Sequence, residues 1–348
     1  MNQDHTAEIT RLRQMVEIRS FSGQEDEIGQ FLVDEMTRLG FRAFRDEAGN
    51  AIGEIGEGSR TMVLLGHMDT VPGNIPVRVE DGILYGRGSV DAKGPLATFI
   101  SAAARSGAPA DTRLIIIGAV EEEATSRGAR AIRDRYQPDF TIIGEPSGWE
   151  HITLGYKGSM YLTYSLAGEN AHTAGASASA PETAIAFWNT LSQWADQFNS
   201  EKKRIFDLVT PTLVAINSNN DGISDNVTMR INVRWPLGLD DEAFVNTLRE
   251  MAGDAEIRAD SFEVPYRGEK RTPLTSAFLR SIRQNDGQPR FKVKTGTSDM
   301  NVVGPAWNCP IVAYGPGDSQ LDHTPNEHIS LDEYLKAIDV LAGVLQTI

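Results

Sequence analysis

Cysteine and basic charge are what this chain is short of. One cysteine, Cys309, among 348 residues excludes an internal disulfide and a cysteine-rich metal centre, and its setting is that of a small residue buried in a strand. Lys and Arg total 33 against 48 Asp and Glu, for a net charge of −15. With no strongly basic tract to offset that field, nucleic acid is excluded as a partner. No apolar run reaches the roughly 18 residues of a membrane span, so no membrane association is expected. Residues 1–5 lack the basic and apolar regions of a signal peptide, and the expectation is a cytoplasmic protein.

What the chain does have is an ordered alternation of short apolar runs and helical patterns. Apolar residues recur at helical spacing over 8–39, with a break at Phe21 and a capping-box signature, Ser22 with Glu25, to restart the helix. Buried-strand runs follow at 61–65, 114–120, 141–143 and 311–314, with helical stretches at 94–105 and 129–136. Continuous apolar strands alternating with helices predict an α/β fold, a mostly parallel sheet with helices on both faces. The middle of the chain reads differently. Strand 160–167, helix 181–198, strands 212–217 and 227–235, helix 240–251 and strand 256–264 make a βαββαβ unit. The expected division is 1–157 and 266–348 for the outer domain, with 158–265 inserted. The small-residue run at 174–180 reads as a flexible loop.

Five stretches carry the chemistry. His67 and Asp69, Asp91, Glu122 and Glu123, Glu145, and His323 each follow, or nearly follow, an apolar run, and open α/β sheets bind ligands at the carboxyl ends of strands. Two histidines and three carboxylates gathered there suit a pair of divalent cations such as zinc. Asp69, two residues from His67, can reach the imidazole from behind and fix its tautomer. Glycines around Asp91 let the backbone turn about one carboxylate able to bridge two cations; the alternative is an aspartate that caps the following helix. The triplet at 121–123 places like charges together unless cations absorb them. One of the three can be a ligand and a neighbour the general base.

Together the segments SFSGQEDEI, GHMDTVP, LYGRGSVDAKG, EEEATSRG, IIGEPS, GENAHTAG, GTSDMNV and DHTPNEH, spread along most of the chain, resemble the di-zinc aminoacylase and peptidase family. That family includes succinyl-diaminopimelate desuccinylase, acetylornithine deacetylase and carboxypeptidase G. The resemblance implies a metal-dependent amide hydrolase with two divalent ions, zinc or, alternatively, cobalt. His67 and Glu145 would hold one, Glu123 and His323 the other, with Asp91 bridging and Asp69 orienting His67. Glu122 would be the base, since the family's Glu-Glu pair is followed five residues later by Gly, here Gly128. The inserted unit would serve as lid and dimerisation domain, with His172 reaching the active site of the partner in a homodimer. Arg234 is the candidate for a substrate carboxylate, supported by Thr297 and Ser298.

Within that family GRGSVDAKGPLA, GAVEEEA and GYKGS look closest to the hydrolases that release lysine or ornithine from the terminal glutamate of a small acidic amino-group carrier protein. Such a partner would need local positive charge on a negative protein, and Lys202-Lys203-Arg204 and Arg290-Lys292-Lys294 are the candidate docking patches. The alternatives are a deacylase of free acetylornithine, acetyl-lysine or succinyl-diaminopimelate, and a dipeptidase. A relative without activity, kept for binding, would need a missing ligand or base, and every position is filled.

Overall fold

The computed structural model describes residues 5–170, 172 and 177–348. Two compact units divide them. The first comprises Met1–Gly155, Arg267–Val293 and Ser298–Ile348, the second Tyr156–Tyr266 and Lys294–Thr297. Residues 294–297 thus cluster with the second unit, although they lie outside 158–265.

In the first unit the central strands are parallel. Arg60–His67 lies between Thr112–Ala119 and Phe140–Gly144, and Ile311–Ala313 extends the sheet beside Phe140–Gly144, all in parallel register. Antiparallel strands flank them: Ala51–Ile55 and Arg42–Arg45 at one side, His151–Tyr156 at the other. Successive side chains alternate between faces. Met62, Leu64, Leu114 and Ile116 join one core with Leu96, Phe99 and Leu341. Val63, Leu65, Ile115 and Ile117 are buried as well. Helices therefore cover both faces, which is why these strands read as unbroken apolar runs. Lys93–Ser106 comes close enough to the sheet that a Cβ on Gly144 would lie 2.9 Å from Phe99 Cε2; glycine is what admits that approach.

The helical pattern over 8–39 resolves into Thr6–Glu17 and Asp26–Arg38. The expected capping box is absent. Glu25 occupies the N-cap position without a side-chain cap, and both polar groups are used elsewhere, Ser22 on Asp69 and Glu25 on two backbone amides. Long-range partners outcompete the local motif.

The second unit is a four-stranded antiparallel sheet in the order Thr210–Asn220, Ser224–Trp235, Gly158–Glu169, Glu256–Glu263. Ala180–Asn199 and Asp241–Ala252 pack on it around Met160, Leu162, Phe187, Leu191, Met229, Ile231, Phe244 and Leu248. Ser179 and Glu182 form a reciprocal cap on the first helix, and Asp240 caps the second. Of the small-residue run at 174–180, residues 174–176 lie outside the described residues. No helix among the described residues is long and apolar enough to cross a membrane.

Candidate functional site

Parallel register brings the carboxyl ends of three strands together, and with them three loops. His67 closes Arg60–His67, the glutamates follow Thr112–Ala119, and Glu145 follows Phe140–Gly144. Asp91 stands before Lys93–Ser106, whose N-cap, Ala92, has no side-chain cap. Asp91 is therefore not a helix cap. Its Oδ1 lies 3.2 Å from His67 Nε2, and its Oδ2 lies 3.2 Å from His323 Nε2. His323 Nε2 is also 3.0 Å from the Glu123 carboxylate. Asp91, Glu123 and His323 each bring a ligand atom within 4.8 Å of the others.

These separations fit a pair of cations. Two donors about 2.1 Å from a tetrahedral ion stand about 3.4 Å apart, close to the spacings above. Asp91 faces one histidine with each oxygen, the arrangement of a bridging carboxylate. The electrostatics agree. Burial would lower the His67 imidazole, but Asp69 and Asp91 raise it well above its usual value. Hydrogen bonds to Asp91 and Glu123 raise His323 to about 10. A carboxylate cluster that draws its histidines toward the cationic form carries negative potential that a divalent ion satisfies.

The three glutamates separate by backbone conformation. Glu121 has φ 57°, and its carboxylate accepts from Thr125 Oγ1 at 2.6 Å and Arg127 Nε at 2.7 Å, on the loop's own surface. Glu122 is placed among His67, Glu145, Asp299 and Glu123; burial is the main cause that raises its carboxyl well above the usual range, and the neighbouring acids add to it. Gly128 closes this loop. Its N–H donates to Val120 O at 3.0 Å, and a Cβ there would lie 2.3 Å from Asn50 Oδ1. Asn50 itself accepts from Val120 N and donates to Gly128 O. That tight closure is the physical reason for a glycine five residues after the second glutamate.

Asp69 does more than orient an imidazole. His67 Nδ1 is 3.0 Å from its backbone oxygen and 3.3 Å from its Oδ1. The same carboxylate accepts the backbone N–H groups of Glu122 at 3.0 Å and Glu123 at 3.1 Å. Sequence reasoning missed two buried acids. Asp299, 2% exposed, is among the charges acting on Glu122. Glu327, fully buried, accepts from Val90 N, Asp91 N and Arg87 Nη1. Asp299 stood in the GTSD stretch and Glu327 four residues after His323, where acidic residues inside quoted motifs were the available signal. Lys93 is equally buried; its amine donates to Ile18 O at 2.6 Å, and burial pushes it down to about 7.

In the second unit Arg234 Nη1 donates to Thr297 Oγ1 at 3.3 Å. His172 is exposed, and residues 171 and 173–175 of its GENAHTAG stretch lie outside the described residues. Ser298, in the first unit, caps Asp299–Trp307, accepting from Met300 N while Asn301 answers its own N–H. Its hydroxyl thus has a structural task.

Residues 63–347 match the profile of peptidase family M20/M25/M40. The chain belongs to this family. As an M20 hydrolase it is similar along its length to a LysW-lysine hydrolase of Deinococcus radiodurans, 47% identical over 343 residues that cover 96% of this chain and 95% of that protein. A Thermococcus kodakarensis protein, provisionally named a LysW-lysine/LysW-ornithine hydrolase, is 44% identical over 336 residues, 96% of this chain and 90% of its own. The fold is shared with an M20 family metallo-carboxypeptidase of Sulfolobus solfataricus at TM-score 0.80, with 19% identity and 98% of each chain covered.

Proposed function

We propose that this M20 hydrolase, in the cytoplasm, releases lysine, ornithine or both from the C-terminal glutamate of a small acidic amino-group carrier protein. The end-to-end likeness to the Deinococcus LysW-lysine hydrolase is the observation that carries this reading. His67 and Glu145 would hold one divalent ion, Glu123 and His323 the other, and Asp91 both; zinc fits the donor set, and cobalt is the alternative. A metal pair held there would supply Lewis acidity for the amide carbonyl and for water. Glu122 takes the proton of the attacking water. As the C–N bond breaks it passes that proton to the departing amine, which leaves as the free amino acid. Arg234, positioned by Thr297, would receive the carboxylate of that amino acid as a guanidinium fork.

The charge distribution favours an acidic protein partner. Residues 267–293 hold seven basic side chains and two acidic ones in a chain of net charge −15. Arg267, Lys270, Arg271, Arg280, Arg283 and Arg290 make no ion pair among the described residues, whereas Arg204 of the other candidate patch pairs with Asp207. Lys292 donates to Ser147 O at 3.0 Å, two residues beyond Glu145. The Arg290-Lys292 surface is thus the better docking candidate. The deciding experiment compares turnover of carrier-linked lysine with turnover of free acetylornithine by the metal-loaded protein. Preference for the carrier-linked substrate is expected; preference for acetylornithine would move the protein to the free small-molecule deacylases.

A further inference from the structure

The SFSGQE stretch holds no ligand, yet it runs against two of the site's loops. Ser20 Oγ donates to Met68 O at 2.7 Å, and Thr70 N donates to Ser20 O at 2.8 Å. Ser22 Oγ donates to Asp69 Oδ2 at 2.7 Å. Glu25, 4% exposed, accepts on one oxygen from Gly23 N at 2.9 Å and from Glu121 N at 3.1 Å. Just before this stretch, Ile18 O receives the buried Lys93 amine, two residues from Asp91. Three successive backbone N–H groups of the glutamate loop therefore end on two buried carboxylates: Glu121 on Glu25, Glu122 and Glu123 on Asp69. Such donors leave little freedom to the loop, because each would be an unsatisfied buried group if it moved.

We propose that Ser22 and Glu25 are positioning residues for Glu122, bracing the glutamate loop through Asp69 and through the Glu121 amide. Ser22 fixes the rotation of the Asp69 carboxylate, so that each oxygen meets one loop amide. Glu25 fixes the first amide of the loop and, through Gly23, the turn that carries Ser22. A displacement of Glu122 by about 1 Å is enough to cost on the order of 100-fold in rate.

The inference rests on the assignment of Glu122 as proton carrier, but its first test does not. In the metal-free protein, hydrogen exchange at the amides of residues 121–123 is compared for wild type, Ser22→Ala, Glu25→Ala and Glu25→Gln. Faster exchange in both alanine variants is expected, with protection recovered in Glu25→Gln, whose carboxamide oxygen can still accept both N–H groups. In the loaded enzyme, kcat should fall about 10- to 100-fold in the alanine variants, with KM and bound metal unchanged, and Glu25→Gln should recover most of it. Unchanged exchange and kcat within twofold of wild type in Ser22→Ala and Glu25→Ala would overturn the proposal. So would a loss that follows metal content or folded fraction, with Glu25→Gln no better than alanine. Ser22→Ala, which removes one hydroxyl, keeps the test open should Glu25→Ala not fold. If only the Glu122 assignment is wrong, exchange still changes while Glu122→Gln remains active.

Discussion

Glu327 accepts the backbone N–H of Asp91 at 3.1 Å across 236 residues of sequence. Its other oxygen takes Arg87 Nη1 at 2.7 Å, and the pair is largely buried, with Glu327 at 0% and Arg87 at 12%. Removing one partner of a buried pair leaves the other charge uncompensated, at about 3–5 kcal/mol. Glu327→Ala should therefore destabilise the metal-free protein by about that amount in urea unfolding, since the Val90 and Asp91 amides are stranded as well. A loss below about 1 kcal/mol would show that the bridge is incidental.

Glu122 and His323 should fail in different ways. Glu122→Gln removes the proton carrier but keeps the size and the buried position, so it should retain both metal equivalents and lose turnover by about two to four powers of ten. His323 has φ 60°, a conformation Asn tolerates better than most residues. His323→Asn should lose one metal equivalent with little change in fold. Elemental analysis beside a rate assay separates the two. Near-normal turnover in Glu122→Gln, or two full equivalents in His323→Asn, would refute the respective role.

His67, Glu123 and Glu145 stood at or just after the ends of apolar runs, and parallel strands put those ends together, whereas Asp91 and His323 lie on longer loops and stood out only by their motifs. The central strands were legible as apolar runs, being buried on both faces. Ser22 and Glu25 were misread because a capping box is a local pattern, while Ser22 donates to a carboxylate 47 residues away and Glu25 accepts, beside the nearby Gly23 amide, one 96 residues away. Glu327 stood inside a quoted motif, but its partners lie more than 230 residues away, so its task was not legible locally. Ser298 shows the converse. Its cap with Asn301 spans three residues and could have been read locally, but the motif around it suggested substrate.

Acid should weaken the sheet edge before the core. Burial raises the Glu54 carboxyl, but hydrogen bonds from Arg42 and Arg113 outweigh that and hold it below its usual 4.5. A depressed carboxyl binds its proton less readily folded than unfolded. Its stabilisation is thus complete above the unfolded value and is lost as pH falls through the folded one. Glu54→Gln should be less stable than wild type at neutral pH, and the gap should narrow as the pH drops below about 4.5. A gap that is constant from pH 7 to about pH 3 would mean the ion pairs contribute nothing.

The homodimer implied by the family resemblance has a specific test. Thr210–Asn220 is an edge strand, paired on one side to Ser224–Trp235. Near it Val214 is 51%, Ile216 43% and Ile223 82% exposed, and apolar residues on an open edge invite pairing with another chain. Sedimentation should show a dimer, and Ile216→Lys with Ile223→Lys should give monomers. If His172 of the partner subunit completes each site, His172→Ala and Glu122→Gln are each nearly inactive alone. Unfolded together and refolded, they form mixed dimers in which one site keeps its own Glu122 and receives an intact histidine from the other chain. Half the dimers are then mixed and each has one working site of two, so activity should return to about a quarter of wild type. A mixture as inactive as its parents would mean that His172 does not act across the dimer.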